Sequence, residues 1–409
     1  RRAVTGNLRL GFHAPESVAE IADLLAEATQ AKIPVEVRGR GSKNEVGRYI
    51  QSGSVVSTER LSGISLYKPN ELVLAAAAGT PLAEIESALA ENGQHLAFEP
   101  IDLGPVLGGS EGEASIGGVF ATNLSGSRRI QSGAARDHLL GVNCVNGWGE
   151  TFKSGGRVMK NVTGYDLSKL VCGSYGTLAL LAELTLKVLP KPETECTLLA
   201  IGAGEAESLA LLRRAAATPC EPSSLAMLPP GAALTLDRSA AAIRLEGPAI
   251  SVTARRDDLA ARLAGGGIRF ETLDAPASAA LWRDLRDAAP VAARTGQVWR
   301  ISVAPTEGFA VVERIRRAGA PALAHFYDWA GGLIWLCVEA APDAHAAIVR
   351  AAVDAAGGHA TLIRASQATR AIGDVFHPQP AALAALTRRV KESFDPAHIL
   401  ERGRMRAEF

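Results

Sequence analysis

The sequence is poor in the residues that build metal and disulfide frameworks. Its five cysteines (Cys144, Cys172, Cys196, Cys220 and Cys337) are odd in number and far apart. No CxxC spacing exists, which excludes a zinc ribbon, an iron–sulfur ligand set and a dithiol redox motif. The thiols read as small buried apolar groups in a reducing compartment. Net charge is absent as well: 43 lysines and arginines balance 43 acidic residues. Bulk nucleic-acid binding and a polybasic membrane patch are both disfavoured by that balance. No apolar run approaches the ~20 residues that a bilayer span needs. Arg1 to Leu10 carry no signal-peptide pattern, so a cytoplasmic protein is expected.

What the chain has is ordinary globular composition, 47% hydrophobic and 21% charged, over a length that suits two or three domains. It also has 41 glycines. They crowd Gly39 to Gly47 and Gly104 to Gly176, and thin out elsewhere.

The first stretch alternates helix and strand. Val18, Ile21, Leu25 and Ala28 repeat at helical spacing, and Ile33 to Val37 follows as a short apolar strand. Strands near Val55 and over Glu71 to Ala78 precede a helix with Thr80 as its expected N-cap and Pro81 as its first residue. From Gly104 to Gly176, glycine, asparagine and serine are too dense for long helices; irregular backbone in that quantity usually wraps something polar. Leu184, Leu186 and Val188 alternate with polar residues as a closing strand before Pro190. Beyond it the chain turns alanine- and arginine-rich. Strands are expected at Thr197–Ile201, Ala241–Leu245, Trp299–Val303, Ala322–Trp329 and Leu333–Glu339, with helices at Phe309–Arg317 and Ala344–Ala356. The last helix carries Leu383, Leu386, Val390 and Phe394 on one stripe.

Two glycine clusters carry candidate chemistry. Arg38, Gly39, Arg40, Gly41, Ser42 and Lys43 directly follow a strand; glycines let backbone N–H groups converge on an anion, and the cations compensate its charge. The segment is neither a Walker A loop nor GxGxxG, because Asn44 stands where the last glycine would be. A surface turn with basic neighbours is the alternative. The second cluster runs from Ser115, Ile116, Gly117 and Gly118 through Ala121, Thr122, Asn123, Ser125 and Gly126. Its paired glycines allow close approach to a ligand, and its polar side chains offer hydrogen bonds. Gly133, Arg136 and Asp137 follow, and then Lys160, Gly164, Tyr165 and Asp166.

The run from Ser115 to Pro190 resembles the FAD-binding domain of the vanillyl-alcohol-oxidase (PCMH-type) flavoproteins, with SIGGVFATNLSG, GAARDHLLGV, KNVTGYDLSKL and GSYGTLALLAELTLKVLP in the family's order. GGRVMKNVTGYDLSKL, WRISVAP, YDWAGGLIWL and the tail HPQPAALAALTRRVKESFDPAHILERGRM are similar to the E subunits of glycolate oxidases. The resemblance implies an α+β fold: a two-part FAD-binding domain (residues 1–192), a cap with an antiparallel sheet (193–370) and a C-terminal segment returning to the FAD domain (371–409). It implies non-covalent FAD lying between residues 1–66 and 67–192. All the residues of the glycine clusters and later blocks named above become cofactor-binding candidates. It also implies a second FAD-containing hydroxyacid dehydrogenase subunit and an iron–sulfur subunit as partners, with membrane contact only peripheral. Covalent relatives often place a histidine where Ser42 stands here. The tail reads Glu401-Arg402-Gly403-Arg404-Met405 where Asn-Pro-Gly-Arg-Met is more usual.

Related 2-hydroxyacid dehydrogenases hold a divalent metal with closely spaced histidines. The eight histidines here show no such spacing, so no metal site is expected. No catalytic residue is evident; His377 and Tyr165 are the nearest candidates. Arginines of the cap (Arg283, Arg286, Arg294, Arg300) read as solvated helix faces. Phe326, Tyr327, Trp329 and Trp335 read equally as a partner contact or a packed sheet face. Oxidation of the 2-hydroxyacid, glycolate to glyoxylate, is expected in the partner, and this FAD serves electron transfer or a second oxidation site. A stand-alone flavin oxidase and a structural subunit without cofactor are the competing readings.

Overall fold

The computed structural model describes residues 10–50, 52–156, 164–231, 238–265 and 267–409. The opening nine residues and Lys160, both part of the sequence expectations, lie outside them. Helix Val18–Ala31 starts where Ser17 takes an extended backbone and its hydroxyl accepts the Glu20 N–H at 3.2 Å. It buries Ile21, Leu25 and Ala28, the stripe read from the sequence. The helix feeds Val35–Arg38 into a three-stranded parallel sheet, with Ser54–Ser57 at its centre and Gly11–His13 on the other side. The outer edge of Val35 is covered from far away in sequence: its N–H donates to Ile399 O at 2.7 Å, and Glu401 N–H donates back to Val35 O at 2.9 Å.

A five-stranded antiparallel sheet follows, in the order Ile64–Lys68, Val73–Ala77, Ala179–Lys187, Leu139–Asn146, Thr151–Gly155. Helices Leu82–Ala90 and Ile116–Thr122 cover it through Ile85, Leu89, Ile116 and Phe120, packed on Leu74, Leu184 and Leu186. Thr80 is not the cap of its helix. Pro81 takes that position, while Thr80 Oγ1 bonds the Gly63 N–H and the Ala77 carbonyl and so ties a turn.

The rest of the chain builds an eight-stranded antiparallel sheet. Its strands overlap the five expected segments, and Ser224–Leu228, Arg269–Leu273 and His359–Arg364 are added. Alternation divides its faces. Trp299, Ile301 and Tyr327 point to a helix-covered core. Val298, Phe326 and Trp335 point to a second core shared with Val46, Ile101, Leu103 and Leu124 of the N-terminal half. Phe326, Tyr327, Trp329 and Trp335 are all buried, so of their two readings the packed sheet face is the one realised.

The C-terminal helix, Ala381–Phe394, does not pack by its apolar stripe: Leu383 and Leu386 are 46% and 47% exposed. It is anchored by charge instead. Lys391, 1% exposed, donates to Asp395 Oδ2 at 2.6 Å, Thr177 O at 2.7 Å and Leu400 O at 2.9 Å. Asp395 also accepts the N–H groups of Ile399 and Leu400. Every hydrogen-bonding position of this buried pair is used, which is the condition for such a pair to be tolerated. Lys391→Met therefore leaves a buried carboxylate without its cation, and the expected loss is about 3–5 kcal/mol. Urea unfolding of the variant against the parent chain measures it; equal midpoints would show that the pair holds nothing.

Candidate functional site

The two glycine clusters meet at one cleft. A Cβ on Gly39 would sit 2.2 Å from Ser115 Oγ, so the loops touch there only because residue 39 has no side chain. Gly117 lets its helix lie against Ala78, whose carbonyl accepts the Gly117 N–H at 2.8 Å. Gly118 has only Ser115 Oγ at 3.4 Å and Lys43 Cδ at 3.8 Å before it, and faces the cleft. The cleft holds about 720 Å³, part of it open to solvent. Gly39, Arg40, Gly41, Ser42 and Lys43 line one side; Ser115, Gly117, Gly118, Ala121 and Thr122 line the other.

The first side is rich in unused donors. The N–H groups of Arg40, Gly41, Ser42 and Lys43 make no hydrogen bond with the described residues. Lys43 Nζ is sealed from solvent and has no partner either. Burial lowers its pKa to about 8, against the pull of Asp102 and Asp287. Four free N–H groups in succession beside an ammonium without a hydrogen-bond partner can cradle a polyanion such as a diphosphate.

The tail closes the cleft. Glu401, 2% exposed, accepts the Val37 N–H at 2.7 Å through Oε1 and Arg404 Nε at 2.7 Å through Oε2. Arg404 in turn donates to the carbonyls of Asn44 and Val46 at 3.0 and 3.3 Å. Burial raises the Glu401 carboxyl pKa, and Arg404 and the Val37 N–H oppose it. The residue at which the tail departs from the usual pattern thus fixes the backbone leading into the first loop.

The remaining candidates stand outside the cleft wall. Arg38 pairs with Glu36 at 2.8 Å, and Ile116 is core. Asn123 Oδ1 accepts the Arg136 N–H at 3.0 Å, and Ser125 Oγ accepts the Ala135 N–H at 2.9 Å, so these two hold the next turn in place. Gly126 N–H bonds the carbonyls of Phe98 and Glu99. Gly133 has a positive φ beside Asp137, whose carboxylate accepts the Ala134 N–H. Gly164 is exposed, Tyr165 is 91% exposed, and Asp166 caps the short helix after it. His377 bonds Asp354 Oδ1 at 2.8 Å and accepts the Ala360 N–H, away from the cleft. Sequence reading missed Thr58, Ala78, Tyr175, Gly176, Leu181, Glu401 and Arg404 as lining residues. Only the Gly173–Gly176 spacing and the odd tail hinted at any of them. Among the described residues no group of three His, Cys, Asp or Glu side chains could hold a metal ion.

Comparison with known proteins places this geometry. Residues 10–155 match the family model described as an FAD binding domain. The chain is 35% identical over 395 residues to glycolate oxidase subunit GlcE of Escherichia coli K12, covering 94% of this chain and 97% of that one. It is 32% identical over 188 residues to a D-lactate dehydrogenase of Archaeoglobus fulgidus, of which it spans 40%. It is 29% identical over 189 residues to glycolate oxidase subunit GlcD of Bacillus subtilis, of which it spans 38%. A solved alkyldihydroxyacetonephosphate synthase shares the fold: TM-score 0.68 and 16% identity, covering 95% of this chain and 75% of that one. The cradle and the similarity over nearly the whole length agree: the chain belongs to the glycolate oxidase subunit GlcE family of FAD-dependent oxidoreductases.

Proposed function

We propose that this chain is the FAD-bearing subunit of a complex that oxidises 2-hydroxyacids to 2-oxoacids, and that it passes electrons toward an iron–sulfur partner. The observation that carries the reading is the row of four free N–H groups beside the buried, unpaired Lys43 ammonium. FAD, when bound, supplies a two-electron acceptor that can release its electrons singly. The residues present fit it. Arg40 to Lys43 would hold the diphosphate, Gly118 leaves room for close approach, and Glu401 with Arg404 keeps the loop in its binding shape. The partner half of the reading draws on the relatives, which are named as subunits E and D of glycolate oxidases.

The flavin is held without a covalent bond in this reading. Ser42 lines the cleft, and no histidine or cysteine does so among the described residues. Cys172 is buried, its thiol pushed up to about 12 by desolvation and spent on the Phe120 carbonyl. Acid precipitation of the yellow protein should leave the colour in the supernatant. A pellet that keeps its flavin would overturn the assignment.

The cradle makes a paired prediction. Lys43→Met removes a buried ammonium that no described residue hydrogen-bonds. Flavin affinity should fall roughly 10- to 100-fold, the range of a charge-assisted hydrogen bond, while the flavin-free chain melts at a higher temperature than the parent. Gly118→Val should fold and lose flavin, whereas Gly117→Val should be destabilised, because its Cβ meets Ala78. Flavin absorbance and thermal melts read both effects; a Gly118→Val chain with full flavin would refute this cleft as the site. For the complex, the test is co-purification with a second flavoprotein and an iron–sulfur protein. Glycolate turnover by the assembled complex should exceed that of the lone flavin-loaded chain, and equal rates would favour a stand-alone oxidase instead.

A further inference from the structure

Four consecutive residues after the second glycine loop are gripped by the cap. Gly126 O accepts Trp329 Nε1–H at 3.1 Å, Ser127 Oγ donates to Asp328 Oδ2 at 2.6 Å, and Arg128 pairs with Glu246 at 2.7 Å. Arg129, the fourth, sets its guanidinium 4.6 Å from the centre of the Trp329 ring. From the cap side, Arg300 approaches the same ring at 5.1 Å. The sequence groups Arg300 with solvated arginines. It lies within the expected strand, Gln297–Ser302, but on the Val298 face that turns toward the N-terminal half.

These two arginines differ from their neighbours. Arg128 and Arg244 each have a glutamate across the seam, Glu246 and Glu99. Neither the Arg129 nor the Arg300 guanidinium makes a hydrogen bond or ion pair with any described residue, and Arg300 Nε is sealed from solvent without a partner. The acids near them are spent: Ser127 and the Trp329 N–H occupy the carboxylate oxygens of Asp328 beside Arg300, and Asp137, whose charge Arg129 feels, accepts the Ala134 N–H and faces Arg136. Burial, with Arg129 adding to it, lowers the Arg300 pKa to about 10. Trp329 itself is held at φ 52° and Ala330 at φ 56°, left-handed backbone that costs of order 1–3 kcal/mol each and persists only where its surroundings enforce it. The pair is accessible, since Arg129 is exposed and Arg300 only partly buried. Tyr175, which lines the cofactor cleft, is close enough to Arg300 to influence its protonation.

We propose that Arg129 and Arg300, one from each side of the seam and braced on Trp329, form a carboxylate site for a short 2-hydroxy- or 2-oxocarboxylate. Guanidinium groups match carboxylates by paired N–H donors. Both guanidinium carbons lie within 5.1 Å of one ring centre and so within about 10 Å of each other, a gap that a short carboxylate with a neighbouring oxygen can bridge. The proposal rests on the FAD reading for the identity of the acid, and it makes the chain a second place where the complex meets its substrate.

The test is calorimetric titration of the purified, flavin-loaded chain with glycolate and with sulfate, flavin content being read from absorbance in the same samples. Glycolate should bind, and sulfate more weakly. Arg129→Gln and Arg300→Gln should each weaken glycolate by about 10- to 100-fold with flavin content unchanged. Exposed Arg388→Gln should match the parent. If Arg300→Gln fails to fold, the exposed Arg129→Gln still decides. Unchanged glycolate affinity in Arg129→Gln, or equal binding of sulfate, overturns the proposal. So does a parent chain that binds no glycolate while Arg129→Gln loses the partner subunits, which would make the pair a protein contact. A chain that purifies without flavin and still binds glycolate through both arginines would instead refute the flavin reading and leave this one standing.

Discussion

Everything at the cleft depends on a contact between the two ends of the chain. Residues 399–401 run beside Val35 as an extra parallel segment, and the Glu401 carboxylate takes the Val37 N–H, one residue before the first loop begins. Arg404 then reaches along that loop to the carbonyls of Asn44, Val46 and Arg48. A loop of glycines and basic residues has high conformational freedom and repels itself. The tail holds it at both ends, Glu401 at the Val37 N–H before it and Arg404 at the carbonyls after it, and the tail is in turn seated by the buried Lys391–Asp395 pair.

The same logic extends to the exit from the cap. Arg370 donates to Gly47 O and pairs with Glu45, while Arg48 donates to the carbonyls of Ala371 and Gly373. Three arginines (Arg48, Arg370 and Arg404) therefore surround Gly47, and a Cβ there would lie 2.6 Å from Arg404 Cδ. Guanidinium groups suit this role because their several donors can serve several carbonyls at once. The segment after the eight-stranded sheet is thus held by the residues that follow the first glycine loop, so order in one favours order in the other.

How much of this was legible in the sequence follows from the range of each interaction. Helix Val18–Ala31 and the strand Val35–Arg38 were readable because their signals are periodic and local. The sequence marked the glycine clusters that line the cleft, but not which of their residues face it. Gly117 and Gly39 serve protein–protein approach, and Asn123 and Ser125 hold a turn, facts that depend on residues such as Ala78 and Ser115 across the fold. The stripe Leu383, Leu386, Val390 and Phe394 had helical period and predicted the helix correctly. It mispredicted the packing, because the burial that matters is that of the charged Lys391. Arg300 falls inside the expected strand Trp299–Val303, yet its position was not legible as a seam residue, because that depends on Trp329 across the sheet.

The adjacent pair Arg128 and Arg129 shows what the seam between flavin half and cap is built to do. Arg128 is buried and exchanges partners with the cap: it takes Glu246, while Arg244 takes Glu99 in return. A reciprocal pairing of this kind fixes register, since sliding either side would strand two buried charges at once, each costing several kcal/mol. Registration by Arg128 then determines where Arg129 falls, and it falls over Trp329 without an ion pair to any described residue. A seam that needed only cohesion could have ended in a third glutamate. Leaving two guanidinium groups without an ion pair beside Tyr175, which lines the cleft, keeps positive charge at that seam.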